Sequence, residues 1–519
     1  MKVFDIKIFV AFVMALVAVQ PGFAALSSGY YTQQSALRSG HWVKIKVRES
    51  GMHQITDAEL RAMGFTDPEK VAVYGYPAVS LSDYRLTSES SDDMPPVAMM
   101  RHNGKIIFYA EADVAMRVVK RTATNGSVTY PTDVRRNYYA DYGTYFLTDA
   151  LPQGAPQQVA YNGTADVAVS TTSLGMVHFE EELYNDGTIG ARFLGQRFKE
   201  TPKQTYTFAM PGFEGLQRIQ FLMVLGVRVD QSKTMPIILP SGTRANLSVS
   251  PVKEETYAYQ GFTQPYSDTP KKSETGLYSI TFDATGAQAG GLDYLTAAYP
   301  RPNRLTGAAQ EVMAFRTLSL NQRIAFDGVT PSTKLWAFAD GEPMREFVAG
   351  APEAGDSEGR VYVTSPGQYD LSTKGKCLYV VAFDPDETLK SVEPMGEVGN
   401  QNLHGMEVPH MLIVTTPLLK AEAERLAQAH RTNDGIDVAV VDVDEAYNEF
   451  SSGTPHLMAV RRLARMLADK GGDKFRSVLL LGAADYDNRG LTKVDKDAFR
   501  NNTIPMYMRE DIAGSGKLP

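Results

Sequence analysis

Cys377 is the single thiol in a chain of 519 residues, and it stands in the run Lys376-Cys377-Leu378-Tyr379-Val380-Val381-Ala382-Phe383. A thiol attacks only as thiolate, and thiolate needs positive charge close by; strand-like apolar neighbours instead predict a packed, inert side chain. The eight histidines, His41, His53, His102, His178, His404, His410, His430 and His456, include no H-x-x-x-H or H-E-x-x-H pair, so a helical zinc site is absent. His410 and His430 fall at a strand start and on a helix face, and His178 precedes the acidic run Glu180-Glu181-Glu182, all places where a structural role is expected. Gly355-Asp356-Ser357-Glu358-Gly359 has the G-x-S-x-G spacing of a nucleophile elbow. An elbow needs a strand before it and a helix after it, whereas this one lies in an acidic loop that leads into a strand. Asp485-Tyr486-Asp487-Asn488-Arg489-Gly490 begins like a calcium loop, but Arg489 takes a ligand position and no glutamate closes it, so a standard EF-hand is excluded. No Gly-rich phosphate loop occurs.

Those residues must be held by two different kinds of element. Around residues 40–75 the pattern is strand-like, with a capping box at Thr56 and Glu59 that starts a short helix and Gly64 that stops it. From there to about residue 400, short β-prone runs (106–109, 145–148, 205–210, 218–229, 247–250, 278–282, 335–338, 361–364, 378–383) alternate with Gly, Pro, Asn and Asp, which predicts β-sandwich domains. Residues 387–405 read as a linker. Near residue 408 the period changes to strand (410–415), helix (from Thr416-Pro417), strand (436–443), helix (Leu457, Val460, Ala464 and Leu467 apolar), strand (477–481), and these strands do not alternate. That is the signature of a parallel sheet covered on both faces, where chemistry collects beyond the carboxyl ends: here Thr415-Thr416, Asp442 to Asp444 and the stretch from Gly482 to Asp487.

The length predicts several domains. Hydrophobic residues at 43%, charged residues at 22% and aromatics at 10% exclude a disordered or multispanning chain, and a net charge of −8 argues against nucleic-acid binding. Lys2 and Lys7, the apolar stretch 8–19, the break Pro21-Gly22 and the small residues Ala24 and Ala25 read as a signal peptide over residues 1–24, which predicts export. With one cysteine no intramolecular disulfide forms. The expected layout is signal peptide 1–24, an N-terminal β-rich domain 25–150, a second β-rich, sandwich-like region 151–400, and an α/β unit 405–519.

Two segments are distinctive together: Tyr447-Asn448-Glu449-Phe450-Ser451-Ser452-Gly453-Thr454-Pro455, and Leu479-Leu480-Leu481-Gly482-Ala483-Ala484-Asp485-Tyr486-Asp487-Asn488-Arg489. With the opening His41-Trp42-Val43-Lys44-Ile45-Lys46-Val47-Arg48-Glu49-Ser50-Gly51, they resemble the gingipain-type cysteine peptidases, and within them most closely the sortases of the type IX secretion system. The resemblance implies β-rich N-terminal domains followed by a caspase-like α/β sheet. It implies an exported protein at the outer membrane, cell surface or periplasm, working with outer-membrane secretion proteins such as a PorV-like barrel and an attachment complex. Relatives remove C-terminal signal domains from exported proteins and attach those proteins to surface lipopolysaccharide, using a Cys thiolate with a His as proton-transfer partner.

Two departures limit the carry-over. The family motif has an acid directly after its first glycine, associated with a structural calcium, and this chain has Ala483 there, which puts metal binding near Asp485 in doubt. The family's catalytic His and Cys lie on later strands, and none of the residues after Gly482 is His or Cys. No catalytic residue, cofactor or metal ligand is therefore assigned, and neither Cys377 nor His456 is promoted to that role. The expectation is the N-terminal part of such a sortase, with the first half of its peptidase domain. The alternatives are a non-catalytic scaffold of the secretion machinery and a surface glycan-binding β-sandwich protein.

Overall fold

The computed structural model describes residues 30–81, 92–122, 128–163, 168–185, 189–251 and 260–507. The signal-peptide segment 1–24 lies outside the described residues. Among the described residues, no helix is long and apolar enough to cross a membrane.

Strand Trp42–Val47 alternates buried Val43, Ile45 and Val47 against Lys44 and Lys46, and this period-two pattern sets the first layer. It lies between Gly143–Thr148 and Glu393–Glu397, with Ala72–Tyr74 beyond, in an antiparallel four-stranded sheet. Its apolar face packs on a second sheet, Gly51–Thr56, Lys105–Ala110 and Met99–His102, through Ile55, Ile106, Phe108, Tyr145 and Leu147. The capping box forms as predicted: Glu59 N–H donates to Thr56 Oγ1 (3.2 Å) and Thr56 N–H donates to Glu59 Oε2 (2.7 Å). The segment read as a linker is instead an ordered strand, because Glu393–Glu397 returns to complete the first sheet.

Each β-prone run falls on a strand. Beyond residue 150 many of the strands join one large sheet. One nine-stranded sheet runs from Gln157–Val159 at one edge to Gln260–Asp268 at the other, with the long strands Ile219–Arg228 and Ala289–Pro302 side by side. A four-stranded sheet (Lys203–Ala209, Leu277–Asp283, Lys233–Ile238, Arg244–Val249) covers one half through Phe208, Phe221, Leu225, Ile280 and Phe282. The other half buries Trp336, Tyr379, Val381 and Phe383 against Met52 and Ile107, which joins the nine-stranded sheet to the N-terminal layers.

The C-terminal unit has β1 (Met411–Thr415), α1 (Lys420–Asn433), β2 (Val438–Asp442), α2 (Val443–Phe450), α3 (Leu457–Gly471), β3 (Ser477–Leu481) and α4 (Lys496–Arg500). Its strands are parallel in the order β2, β1, β3. Helix α1 covers one face through Ala423 and Ala427 against Ile413 and Val438. Helices α2 and α3 cover the other through Val443, Phe450, Leu463, Met466 and Leu467 against Leu412, Val414 and Val441. On that face β3 is bare: Val478 is 40% and Leu480 50% exposed. Helix α2 escapes the sequence reading because it starts on the last strand residue. Asp442 is both the end of β2 and the N-cap of α2, in a capping box with Glu445.

Candidate functional site

The carboxyl ends of the parallel strands point toward the N-terminal layers, and there a cavity of about 430 Å³ opens. Lys44, Lys46, Tyr139 and Tyr142 line it from the N-terminal domain; Asp444, Tyr447, Asn488, Phe499, Arg500 and Thr503 line it from the C-terminal unit. It lies near the strand ends where the sequence reading expected chemistry to collect, with Asp444 in its wall, but the lysines were not part of that reading. The signal was present: in an alternating strand with Val43, Ile45 and Val47 inward, Lys44 and Lys46 must share the opposite face. Two lysines on one face ordinarily read as solvated, and only the docked α/β unit makes them cavity walls.

The first distinctive segment is what holds the unit there. Ser452 Oγ accepts from Tyr76 N–H (3.1 Å), Thr454 Oγ1 accepts from Thr144 N–H (3.0 Å), and Pro455 O accepts from Asn137 Nδ2 (3.2 Å). Gly453 sits at φ +77° with Lys44 Cε and Phe146 so close that a Cβ would come within 2.7 Å of either, so the turn requires glycine. Asn448 Oδ1 accepts from Lys44 Nζ at 3.1 Å. Glu449 is fully buried and turns back onto the segment before β1: Oε1 accepts from Leu403 N–H (2.7 Å) and Gln401 Nε2 (2.9 Å), Oε2 from His404 N–H (3.0 Å), with His404 Nδ1 2.6 Å away. Burial alone would lower the His404 pKa; Asp92 and Glu449 outweigh it and raise it to about 9, so the ring is cationic at neutral pH.

The second segment docks as well. Arg489, 1% exposed, makes a bidentate pair with Glu182 of the β-rich body (2.7 and 2.5 Å) and lies over the Phe193 ring. Glu182 also accepts from Arg136 (3.0 Å), which in turn holds Asp113 (3.1 Å) and Glu180, so one ionic network links the C-terminal unit to the β-rich body. Burial lifts Asp113 to about 6 in spite of Arg136 and Arg489. The calcium-like loop is filled by its own donors: Asp487 accepts from Leu491 N–H (2.9 Å), Thr492 N–H (2.7 Å) and Thr492 Oγ1 (2.8 Å). Burial would raise the Asp485 pKa, but Lys493 at 2.7 Å holds it below the usual carboxylate range. Among the described residues no cluster of His, Cys, Asp and Glu is arranged to hold a metal.

Residues 405–517 match the sequence profile of peptidase family C25. The solved structure of dimeric latent PorU from Porphyromonas gingivalis is similar over 88% of this chain and 43% of that one, at 26% identity and a TM-score of 0.74. The C-terminal segment is thus of the C25 peptidase type, and the chain as a whole is PorU-like. It spans less than half of the PorU chain it matches. A cycloisomaltooligosaccharide glucanotransferase from Paenibacillus sp. is 11% identical over 44% of this chain and 47% of that one, with a TM-score of 0.15 that carries no argument. No curated protein matches the chain. In this PorU-like frame the C25 match coincides with the α/β unit, and the β-rich order before it agrees with the predicted fold class.

The structure brings neither Cys377 nor His456 to the cavity. Cys377 is buried in the nine-stranded sheet, Sγ facing Phe315 O at 3.3 Å, and burial pushes its thiol up to about 12. His456 is buried at the start of α3, where Nδ1 accepts from Met458 N–H (3.0 Å); burial and then Arg462 push its pKa down to about 3. The packing of Cys377 agrees with the inert side chain expected from its apolar neighbours. The native chain is therefore expected to give almost no colour with a disulfide reagent such as dithiobis(nitrobenzoate) at about pH 8, and the full signal of its single thiol only after unfolding. Rapid reaction of the native protein would contradict the packing described.

Proposed function

We propose that this chain is the N-terminal portion of a type IX secretion sortase, exported to the outer membrane or cell surface, where the whole protein removes C-terminal signal domains from exported proteins and attaches those proteins to surface lipopolysaccharide. The observation that carries the reading is the match of 88% of the chain to PorU, together with the C25 match over residues 405–517. The docking contacts support it, since both distinctive segments serve to fix the α/β unit on the β-rich layers rather than to react. In this reading the described residues position the sheet whose carboxyl ends carry the chemistry, and the nucleophile and its base are contributed by sequence other than Cys377 and His456. Partners would be outer-membrane secretion proteins and cargo with C-terminal signal domains.

The test is disruption of the gene in its source bacterium. Cargo proteins should accumulate with their C-terminal signal domains still attached, detected as a mass increase by immunoblot and by peptides from the retained domain. Normally processed cargo would overturn the proposal. The purified chain should show no thiol-dependent peptidase activity, and cleavage abolished by Cys377→Ala would count against the assignment as well.

A further inference from the structure

The cavity at the carboxyl ends of the sheet carries more positive than negative charge. Lys44, Lys46 and Arg500 line it, and Arg48 and Lys496 stand at its rim; against these five cations are Asp444 in the wall and Asp141 and Glu393 at the rim. The rim carboxylates are already engaged. Asp141 holds Arg500 (3.0 Å) and Lys496 (3.5 Å), and Glu393 takes a bidentate pair from Arg48 (2.8 and 3.0 Å). Lys44 differs from the others: among the described residues its hydrogen-bond partner is the neutral Asn448 amide, and no carboxylate lies within ion-pair distance. Burial lowers its pKa to about 8, against the pull of Asp444 and with added repulsion from Lys46. An ammonium taken out of water without a counter-ion is costly, and Lys44 stands on the same strand face as Lys46, which has Glu393 at 3.8 Å.

The remaining walls mix aromatic and apolar side chains with the neutral polar Asn488, Asn501 and Thr503. The Tyr142 ring lies beneath both Lys46 Nζ (4.6 Å) and the Arg500 guanidinium (5.3 Å), and Phe499, Met395 and Pro505 add apolar surface. Arg500 is oriented by Asp141, which leaves its fork fixed beside the opening. The volume of about 430 Å³ is larger than an oxyanion alone needs and falls in the range of small-ligand sites.

We propose that this cavity is an oxyanion-binding site, which takes a phosphate or carboxylate group between Lys44, Lys46 and Arg500 and the organic body that bears it against Tyr142 and Phe499. This goes beyond the sortase reading and does not depend on it. An anion there supplies the charge that Lys44 lacks, and Arg500 offers planar, paired N–H donors suited to either group. The two lysines come from the N-terminal domain and the arginine from the C-terminal unit, so the ligand would bridge both.

Competitive acetylation of lysines on the purified chain, read residue by residue by mass spectrometry at constant ionic strength, tests this. The probes are inorganic phosphate and acetate, with chloride as reference. Either probe should protect Lys44 and Lys46 roughly fivefold at about four times its half-saturating concentration, while exposed lysines such as Lys374 are unaffected. Protection by phosphate alone identifies a phosphorylated ligand, and equal protection by acetate a carboxylate. Arg500→Met should reduce the protection without altering the labelling of distant lysines, and Lys46→Met should do the same at Lys44. No protection by either probe, or protection unchanged in both variants, would overturn the proposal.

Discussion

Glu449→Ala is expected to cost about 3–5 kcal/mol of stability. The carboxylate is fully buried and accepts from Gln401, Leu403 N–H and His404 N–H, so its removal strands those donors together with a charged imidazole. His404 is 1% exposed and stacks on Phe450 at 4.5 Å. The effect should depend on pH with a definite sign. The folded His404 pKa of about 9 lies above its unfolded value of about 6.5, so its contribution is complete below pH 6.5 and is lost as pH rises toward 9. Denaturant unfolding of the parent and of Glu449→Ala should therefore show a stability gap that is wide near pH 6 and narrows by pH 9. A gap that stays constant or widens over that interval would show that His404 is not cationic in the fold.

Arg489→Met should loosen the α/β unit from the β-rich body by about 3 kcal/mol, even though methionine keeps much of the apolar volume over Phe193. The reason lies on the other side of the pair: Glu182 loses its bidentate partner and keeps only Arg136, which already serves Asp113 and Glu180. Because several cores are present, one melting temperature would be an ambiguous readout. Limited proteolysis is the better measure, with cleavage in residues 401–507 accelerated well before the nine-stranded sheet is cut. Pairing the change with Glu182→Met should recover part of the loss, since two apolar residues leave no stranded charge. If the double variant is worse than either single one, the network acts in some other way than by mutual neutralisation.

The sequence revealed elements more readily than their partners. Every alternating run became a strand, because alternation is a local property, and the change of period near residue 408 located the α/β unit for the same reason. Pairing at long range was not legible. Nothing in Glu393–Glu397, whose side chains are all exposed, indicates that its backbone completes the sheet of Trp42–Val47, and residues 387–405 were read as linker for that reason. Helix α2 was missed because Asp442 serves two elements at once. The site was half legible. Asp444 falls at a strand end that the rule for parallel sheets marks, whereas Lys44 and Lys46 acquire meaning only when a unit about 400 residues later packs on them. The motif residues Glu449, Gly453 and Arg489 stood out as a pattern, but their work as docking contacts needs the surfaces they meet.

The return of Glu393–Glu397 to Trp42–Val47 bears on how such a chain can mature. Val43 finds its neighbour Glu397 only after the whole nine-stranded body has been laid down between them. A polypeptide emerging from its amino end would carry an unclosed hydrogen-bonding edge on its first domain throughout that interval, open to mispairing with other nascent strands. Slow assembly, with a need for shielding by chaperones until the closing segment arrives, is built into this topology.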